Sequence, residues 1–310
     1  MRENDLLAWI AKNAGRHPSV TLGIGDDMAA VYVPTGEVLL KIDQALDGIH
    51  FDLRTHSPEA VGRKAVNRCL SDCAAMACSP VAVLVSVALP RDFEIKQAQE
   101  LFIGCRDAAG AFDCPLVGGD TAIWDQRLAI SVAITGVSSS RCITRNAAKP
   151  GDVICVTGQL GGGILGRHMN FVPRIKLARH LVSALELHAL MDISDGLAMD
   201  LPRLMKASGC GAIIHSHVIP IHPDAEKLSS TDGKTAIWHA LCDGEDYELL
   251  FTIPAADAEK LKLLSFEAPV SIIGTVTEEL EIVLLDSAGL KTQWPSGGWE
   301  HGVAGPAGNG

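Results

Sequence analysis

Apolar residues recur with helical spacing at Leu6, Leu7, Trp9, Ile10 and Ala14, and Gly15-Arg16-His17-Pro18 ends the pattern. A first helix is predicted over residues 5–14. Two short apolar runs follow, at 29–33 and 37–42, and Pro34-Thr35-Gly36 between them predicts a hairpin. Pro58 opens a longer helical stretch to about Ala77, striped by Val61, Ala65, Cys69, Cys73 and Met76. Residues 81–89 and 128–137 read as strands, 93–110 as a helix, and Pro115-Leu116-Val117 as a strand ending on Gly118-Gly119. The second half continues with a strand at 153–157, helices near 174–189 and 196–207, and strands near 211–218, 247–253, 270–276 and 281–285. At 310 residues the chain exceeds what one core usually holds. The turn-rich stretch from Ser138 to Asp152 predicts a boundary near 145, giving domains 1–145 and 146–310 of α/β (α+β) type.

Superimposed on this pattern are six acidic clusters, most of them beside Gly, Ser or Ala. They are Gly25-Asp26-Asp27, Asp43, Ser71-Asp72, Gly118-Gly119-Asp120, Asp192-Ile193-Ser194-Asp195-Gly196 and Gly244-Glu245-Asp246. Asp and Gly favour turns for their own reasons, which explains any one cluster. Six together fit a polyphosphate site in which carboxylates hold Mg²⁺ and glycines let the backbone approach phosphates. Asp43 ends an apolar strand, where capping its own loop is the competing role. Asp72 stands among small helix residues, where an unpaired charge would cost several kcal/mol, roughly, so a metal or a basic partner is expected beside it. Ser194 or Asp195 can cap the helix that follows, which accounts for one of them but not for both acids. Gly158-Gln159-Leu160-Gly161-Gly162-Gly163 resembles a phosphate loop without the Lys-Ser/Thr that normally completes one.

Net charge is −11, and no Lys/Arg run could track a nucleic-acid backbone, so nucleic acid is not an expected partner. Met1-Arg2-Glu3-Asn4-Asp5 carries charge where a secretion signal needs an apolar stretch, and no apolar run reaches membrane-spanning length. A cytoplasmic protein is expected. The nine cysteines lie mostly among apolar neighbours and read as reduced core residues. No Gly-x-Ser-x-Gly elbow or obvious triad is present, and many acids without a nucleophile suit direct phosphoryl transfer.

In order along the chain, these segments resemble the thiamine-monophosphate kinase family. Its superfamily also contains aminoimidazole ribonucleotide synthetase, selenophosphate synthetase and a hydrogenase-maturation protein. The resemblance runs through Gly25 to Val31, Asp43 with Asp47-Gly48-Ile49-His50-Phe51, Leu70 to Met76, and Val117 to Thr121. It continues through Arg145 with Pro150-Gly151-Asp152, Met191 to Leu197, Gly244 to Thr252, and Gly298-Trp299-Glu300-His301. It implies a two-domain fold of the aminoimidazole ribonucleotide synthetase type, with an N-terminal mixed sheet or half-barrel and a C-terminal α+β sandwich. It also implies a homodimer that moves the γ-phosphoryl group of ATP onto thiamine monophosphate in line, using several Mg²⁺ ions. On this resemblance the N-terminal domain binds ATP and Mg²⁺ and dimerises, while the C-terminal domain contributes to the phosphate and acceptor site. Asp26, Asp43, Asp72, Asp120, Asp192 and Asp195 would be metal ligands, with Asp72, Asp120 and Asp192 at the catalytic centre. Gly119, Asp120, Arg145 and Ser194 would meet ATP, while His50, Glu245 or Asp246, and Trp299 would face the acceptor. This chain has Lys41 and Ile42 where the family usually has hydroxyl residues, Arg63 for a Trp and Cys69 for an Asn, and a short stretch between Gly166 and Arg174. Two other functions compete: a related ATP-using enzyme with a different acceptor, and a non-catalytic ATP-binding dimer.

Overall fold

The structure of the protein is a computed structural model that describes residues 3–24, 28–138 and 142–299. The chain folds as two compact units, residues 1–144 with 168–185, and 145–167 with 186–310. A single cut at 145 therefore misses one exchange: the segment from His168 to Leu185 belongs with the first unit.

The first unit begins with α1 (Glu3–Asn13), β1 (Val20–Leu22), β2 (Ala30–Val31), β3 (Glu37–Leu46) and α2 (Pro58–Ala75). It continues with β4 (Ser79–Pro90), α3 (Ile95–Gly110), β5 (Leu116–Trp124) and β6 (Ala129–Ser138). β7 (Val153–Thr157) lies in the second unit. The short α4 (Arg167–Asn170) then leads the chain back to α5 (Ile175–Ala184) of the first. Four strands form one sheet in the order β3-β6-β4-β5, in which only β4 and β5 run parallel, with α3 as their crossover. The expected hairpin between 29–33 and 37–42 does not form. β2 pairs with β1 in a sheet of their own, and β3 pairs with β6 along its whole length, from Glu37 opposite Ser138 to Leu46 opposite Ala129. A long ladder outweighs what one Pro-Thr-Gly turn contributes locally. β5 also corrects an expectation, because it runs straight through Gly118 and Gly119 to Trp124 instead of ending there. A Cβ on Gly119 would lie 1.7 Å from the Val85 carbonyl oxygen of β4, so the glycine serves the strand pairing.

Helix α2 starts cleanly because Ser57 accepts the Ala60 N–H at 3.3 Å and Pro58 occupies its first turn. Its apolar stripe of Val61, Ala65, Cys69 and Cys73 is buried with Val83 of β4 and Ile130, Val132 and Ile134 of β6. α3 packs along α2 at close range. A Cβ on Gly62 would approach the Leu101 carbonyl to 2.3 Å, and one on Gly104 the Glu59 carbonyl to 2.0 Å. α5 packs on α2 as well, and Asn67 donates to the Phe171 carbonyl at 2.9 Å.

The second unit adds β8 (Ala189–Ile193), α6 (Leu197–Ser208), β9 (Gly211–His215), α7 (Pro223–Asp232) and α8 (Ala236–Cys242). It closes with β10 (Glu248–Ile253), α9 (Ala258–Leu263), β11 (Val270–Thr277), β12 (Ile282–Leu285) and β13 (Lys291–Thr292). Its seven-stranded sheet has the order β13-β12-β9-β11-β7-β10-β8, antiparallel except between β9 and β12. The core joins Ile154 and Val156, Met191 and Ile193, Ala212 and Ile214, and Leu250 to Leu201 and Leu204 of α6. Two expectations shift here: the helix near 174–189 stops at Ala184 and gives way to β8, and β9 ends at His215 in a 3₁₀ turn. All nine cysteines are free thiols. Among the described residues no helix is long and apolar enough to cross a membrane.

The close approach of α2 and α3 is directly testable. Gly104→Ala places a methyl group against backbone that cannot yield without separating the helices, and is expected to destabilise by roughly 1–3 kcal/mol. Urea unfolding should show a lower midpoint with an unchanged m-value; a midpoint equal to wild type would contradict this packing.

Candidate functional site

In the first unit, the alternation of β3 puts Lys41 and Asp43 on one face, and the helical period of α2 puts Arg68 and Asp72 one turn apart. The two pairs cross-connect. Lys41 donates from Nζ to Asp72 Oδ1 at 3.1 Å and lies equally close to Oδ2. Arg68 reaches Asp43 Oδ2 at 3.5 Å and donates to the Gln44 carbonyl at 2.6 Å. Burial works to lower the Lys41 pKa, but the Asp72 and Asp43 carboxylates outweigh it and raise the value. Cys69, between these groups, donates to the Val132 carbonyl; burial first, then the two acids, push its thiol well above the ordinary range. The basic partner expected for Asp72 is thus Lys41, and the two acids with Lys41 and Arg68 form a set of zero net charge.

The uncovered face of the same sheet lines a cleft of about 890 Å³. Ile24, Leu40, Lys41, Leu84, Gly119 and Asp120 contribute to it. Asp120, opposite Ser86 in the β4–β5 register, is exposed and has no ion pair among the described residues. A carboxylate turned to open space beside the extended backbone of Gly119 suits a hard divalent cation. Asp43 and Asp72 do not fit one as they stand, because their oxygens already face ammonium and guanidinium groups. Asp26 lies outside the described residues. Within those described, no three His, Cys, Asp or Glu side chains converge as a metal-binding group. His50 is buried, with Nδ1 accepting the Leu46 N–H at 3.0 Å and its carbonyl accepting from the fully buried Lys64 at 2.5 Å. Lys64 Nζ also lies 2.8 Å from His168 Nδ1.

In the second unit, Asp192 is buried in β8 opposite Leu249 of β10. The loop after it is gripped by Asp200 of α6, whose Oδ2 accepts the Ser194 and Asp195 N–H groups, each at 3.0 Å. Arg203, one helical step on, donates to Asp200 Oδ1 at 2.8 Å and pairs with Asp195, which holds the guanidinium pKa above its usual value. Burial pushes Asp200 up to about 7 despite these donors. Both Glu245 and Tyr247 have left-handed backbones, at φ 53° and 52°, which lets Glu245 N–H reach Ser194 O at 2.7 Å and Tyr247 N–H reach Ile193 O at 2.8 Å. Trp299 donates its backbone N–H to Asp195 O at 3.0 Å, and the residue is 46% exposed. Arg145 is exposed, with its carbonyl accepting from Ser208.

The glycine loop at 158–163 is not a free phosphate cradle. Its Gly161 N–H goes to Asp246 Oδ1 at 2.8 Å and its Gly162 N–H to Asp243 Oδ2 at 2.8 Å. Asp246 is buried, also receives Arg167 at 2.9 Å, and so holds the loop. Sequence reasoning missed Arg68, Asp200, Arg203 and Arg167. Arg203 could have been found, since it stands three residues after Asp200 on its helix, whereas Arg68 meets Asp43 on a separate strand. Arg167 meets its acid 79 positions away, with no local signal.

Comparison with known proteins places these geometries among relatives. Residues 25–138 match the family model described as AIR synthase related protein, N-terminal domain, and residues 149–286 match the corresponding C-terminal domain. A thiamine-monophosphate kinase of Rhodopirellula baltica is 36% identical over 283 residues, spanning 88% of this chain and 89% of its own length. The Bacillus subtilis thiamine-monophosphate kinase is 32% identical, with 90% and 92% covered. Among solved structures, AaThiL complexed with AMPPCP and TMP superposes with a TM-score of 0.75 at 31% identity, covering 97% of this chain and 99% of that one. The hydrogenase maturation protein HypE in complex with ATP gives a TM-score of 0.79 at 19% identity, with 96% and 95% covered, a likeness of fold.

The buried Asp246 generates a pH test. Burial raises its pKa from 3.8 to about 7, against the pull of Arg167 and the Gly161 N–H, and Oδ2 has no hydrogen-bond partner among the described residues. Between those two values the folded chain keeps a proton that the unfolded chain has released, so this contribution to stability is present at low pH and lost as pH rises through 7. The melting temperature of wild type relative to Asp246→Asn should therefore fall between pH 4 and 7.5. A flat difference across that range would contradict the assignment.

Proposed function

The chain belongs to the AIR synthase related family, and from that premise we propose that it is an ATP-dependent thiamine-monophosphate kinase, transferring the γ-phosphoryl group directly to the acceptor phosphate to give thiamine diphosphate. The observation that carries this reading is the likeness along nearly the whole chain to AaThiL, a protein held in complex with AMPPCP and TMP. Curated thiamine-monophosphate kinases match over most of the chain as well.

Phosphoryl transfer requires positioning and charge stabilisation more than covalent chemistry, and the residues described above supply both. Asp120 in the first unit and Asp192 in the second would each hold Mg²⁺, which when bound neutralises charge on the phosphate oxygens. Asp26 remains a candidate ligand. Gly119 allows backbone to approach a phosphate closely, while Arg145 offers an exposed guanidinium and Ser194 a hydroxyl on a loop fixed by Asp200. On the acceptor side, the exposed Trp299 offers an indole as a stacking surface suited to a cationic heterocycle, with Glu245 as an acid on the same unit. His50 is buried and would act by shaping its turn rather than by broad contact.

A homodimer completes the reading. Leu40 is 80% and Ile42 67% exposed on the uncovered sheet face, with Val38 and Leu84 also exposed, more contiguous apolar surface than a lone chain usually shows to water. A second copy of the same face would bury it with a matching sheet.

Incubation with ATP, Mg²⁺ and thiamine monophosphate should yield thiamine diphosphate, and Asp120→Asn should lower turnover by roughly 100-fold or more with an unchanged melting temperature. Binding of ATP without thiamine diphosphate formation would sink the kinase reading. Separately, light scattering should give twice the chain mass for wild type and a shift toward the monomer for Leu40→Asp. A monomeric wild type would remove the dimer.

A further inference from the structure

We propose that Lys41 is a resident cation: its ammonium takes the place of a divalent ion at the Asp43/Asp72 carboxylate pair, so that this part of the first unit recruits no Mg²⁺ of its own. The inference rests on the reading that Mg²⁺ serves the reaction elsewhere, at Asp120 and Asp192.

The first observation is geometric. Lys41 Nζ lies 3.1 Å from each Asp72 oxygen, so both face the ammonium, at the distance of a charge-assisted hydrogen bond. Magnesium needs oxygens at about 2.0–2.1 Å in an octahedron and gives up its waters reluctantly. It would have to displace the ammonium to reach Asp72, or sit beside it as a second cation on one carboxylate. The second observation is the charge count. Asp43 and Asp72 are met by Arg68 and Lys41, and two negative charges against two positive ones leave no surplus to attract a dication. The third is backbone registry. Lys41 and Asp43 are two apart on β3, and Arg68 and Asp72 four apart on α2, so secondary structure itself aims all four groups at one another. These cations are built into the fold and would persist without nucleotide or metal. Lys41 also lines the cleft that holds Asp120. By strand alternation its ammonium stands on the α2 side of the sheet with Asp72, opposite the side of Leu40 and Ile42, so it meets the carboxylate pair as a fixed +1 where a metal would bring an exchangeable +2.

The test counts metal and does not read activity. Mn²⁺ is titrated into the full chain with and without AMPPCP, and bound ion per chain is measured by paramagnetic resonance. Lys41→Ser should bind one more Mn²⁺ than wild type, Lys41→Arg should not, and adding Asp72→Asn to Lys41→Ser should abolish the gain. With Lys41 in place, Asp43→Asn should leave the count unchanged, an arm that stands even where Lys41→Ser does not fold. Equal counts in wild type and Lys41→Ser, or loss of an ion from wild type on Asp43→Asn, would overturn the proposal. Failure to form thiamine diphosphate would refute the kinase reading while leaving these counts to decide the role of Lys41.

Discussion

A carboxylate taken out of water must be given a cation or several N–H donors, because leaving it bare costs several kcal/mol, roughly, which is a large part of a protein's whole stability. This chain has an acid excess of eleven charges and sets many of its acids at strand ends, on helix faces and in glycine loops. The constraint explains why basic residues stand where they do. Lys41 meets Asp72, Arg68 meets Asp43, Arg203 spans Asp195 and Asp200, and Arg167 meets Asp246. Each pair lies within one unit, so each unit balances its own acids. Backbone N–H groups serve beside these partners: Asp200 also holds the Ser194–Asp195 loop and Asp243 the Gly162 amide.

The same constraint sorts acids that look alike in the sequence. Five of the six clusters read as metal ligands and the sixth, Glu245-Asp246, as facing the acceptor, because Asp beside Gly is equally suited to a metal, a turn or a cap. What separates them is the partner across space. Asp120 stands exposed at the cleft without an ion pair among the described residues, which leaves its oxygens for a cation. Asp246, in an equally glycine-rich segment, is buried against Arg167 and the Gly161 amide and works as a loop anchor. A sequence shows the donor atoms; the fold decides whether they are already in use.

Elements with strong periodicity were legible for that reason. The stripe on α2 and the apolar runs of β4, β6, β7, β10, β11 and β12 report burial directly, and the structure has these elements within a few residues. Local turn chemistry was less reliable. Pro34-Thr35-Gly36 looked like a hairpin, yet β3 found its partner about ninety residues on, because ten paired residues of β6 outweigh one turn. Gly118-Gly119 looked like the end of a strand and is instead the place where β5 passes close to β4. The helices α7 and α9 escaped notice because they are short and half-exposed, with little apolar face to mark them. Of the candidate site, the acids themselves were readable, while their basic partners, except those one helical turn away, were not.

Why a chain of this family would place a lysine between two acids follows from what each kind of cation does. A metal ion brings two charges and a strong field, but its occupancy depends on the free ion and it must be desolvated each time it binds. An ammonium brings one charge and a weaker field, and is present whenever the chain is folded. At Lys41 the hydration cost is moderate because the side chain is only partly buried, and two carboxylates more than offset it, as the raised pKa records. The group stays charged throughout the neutral range, so its contribution does not vary with pH or with metal supply. The exchange gives up field strength at one corner of the first unit for permanence, while Asp120, among the described residues of that unit, keeps a geometry that suits an exchangeable ion.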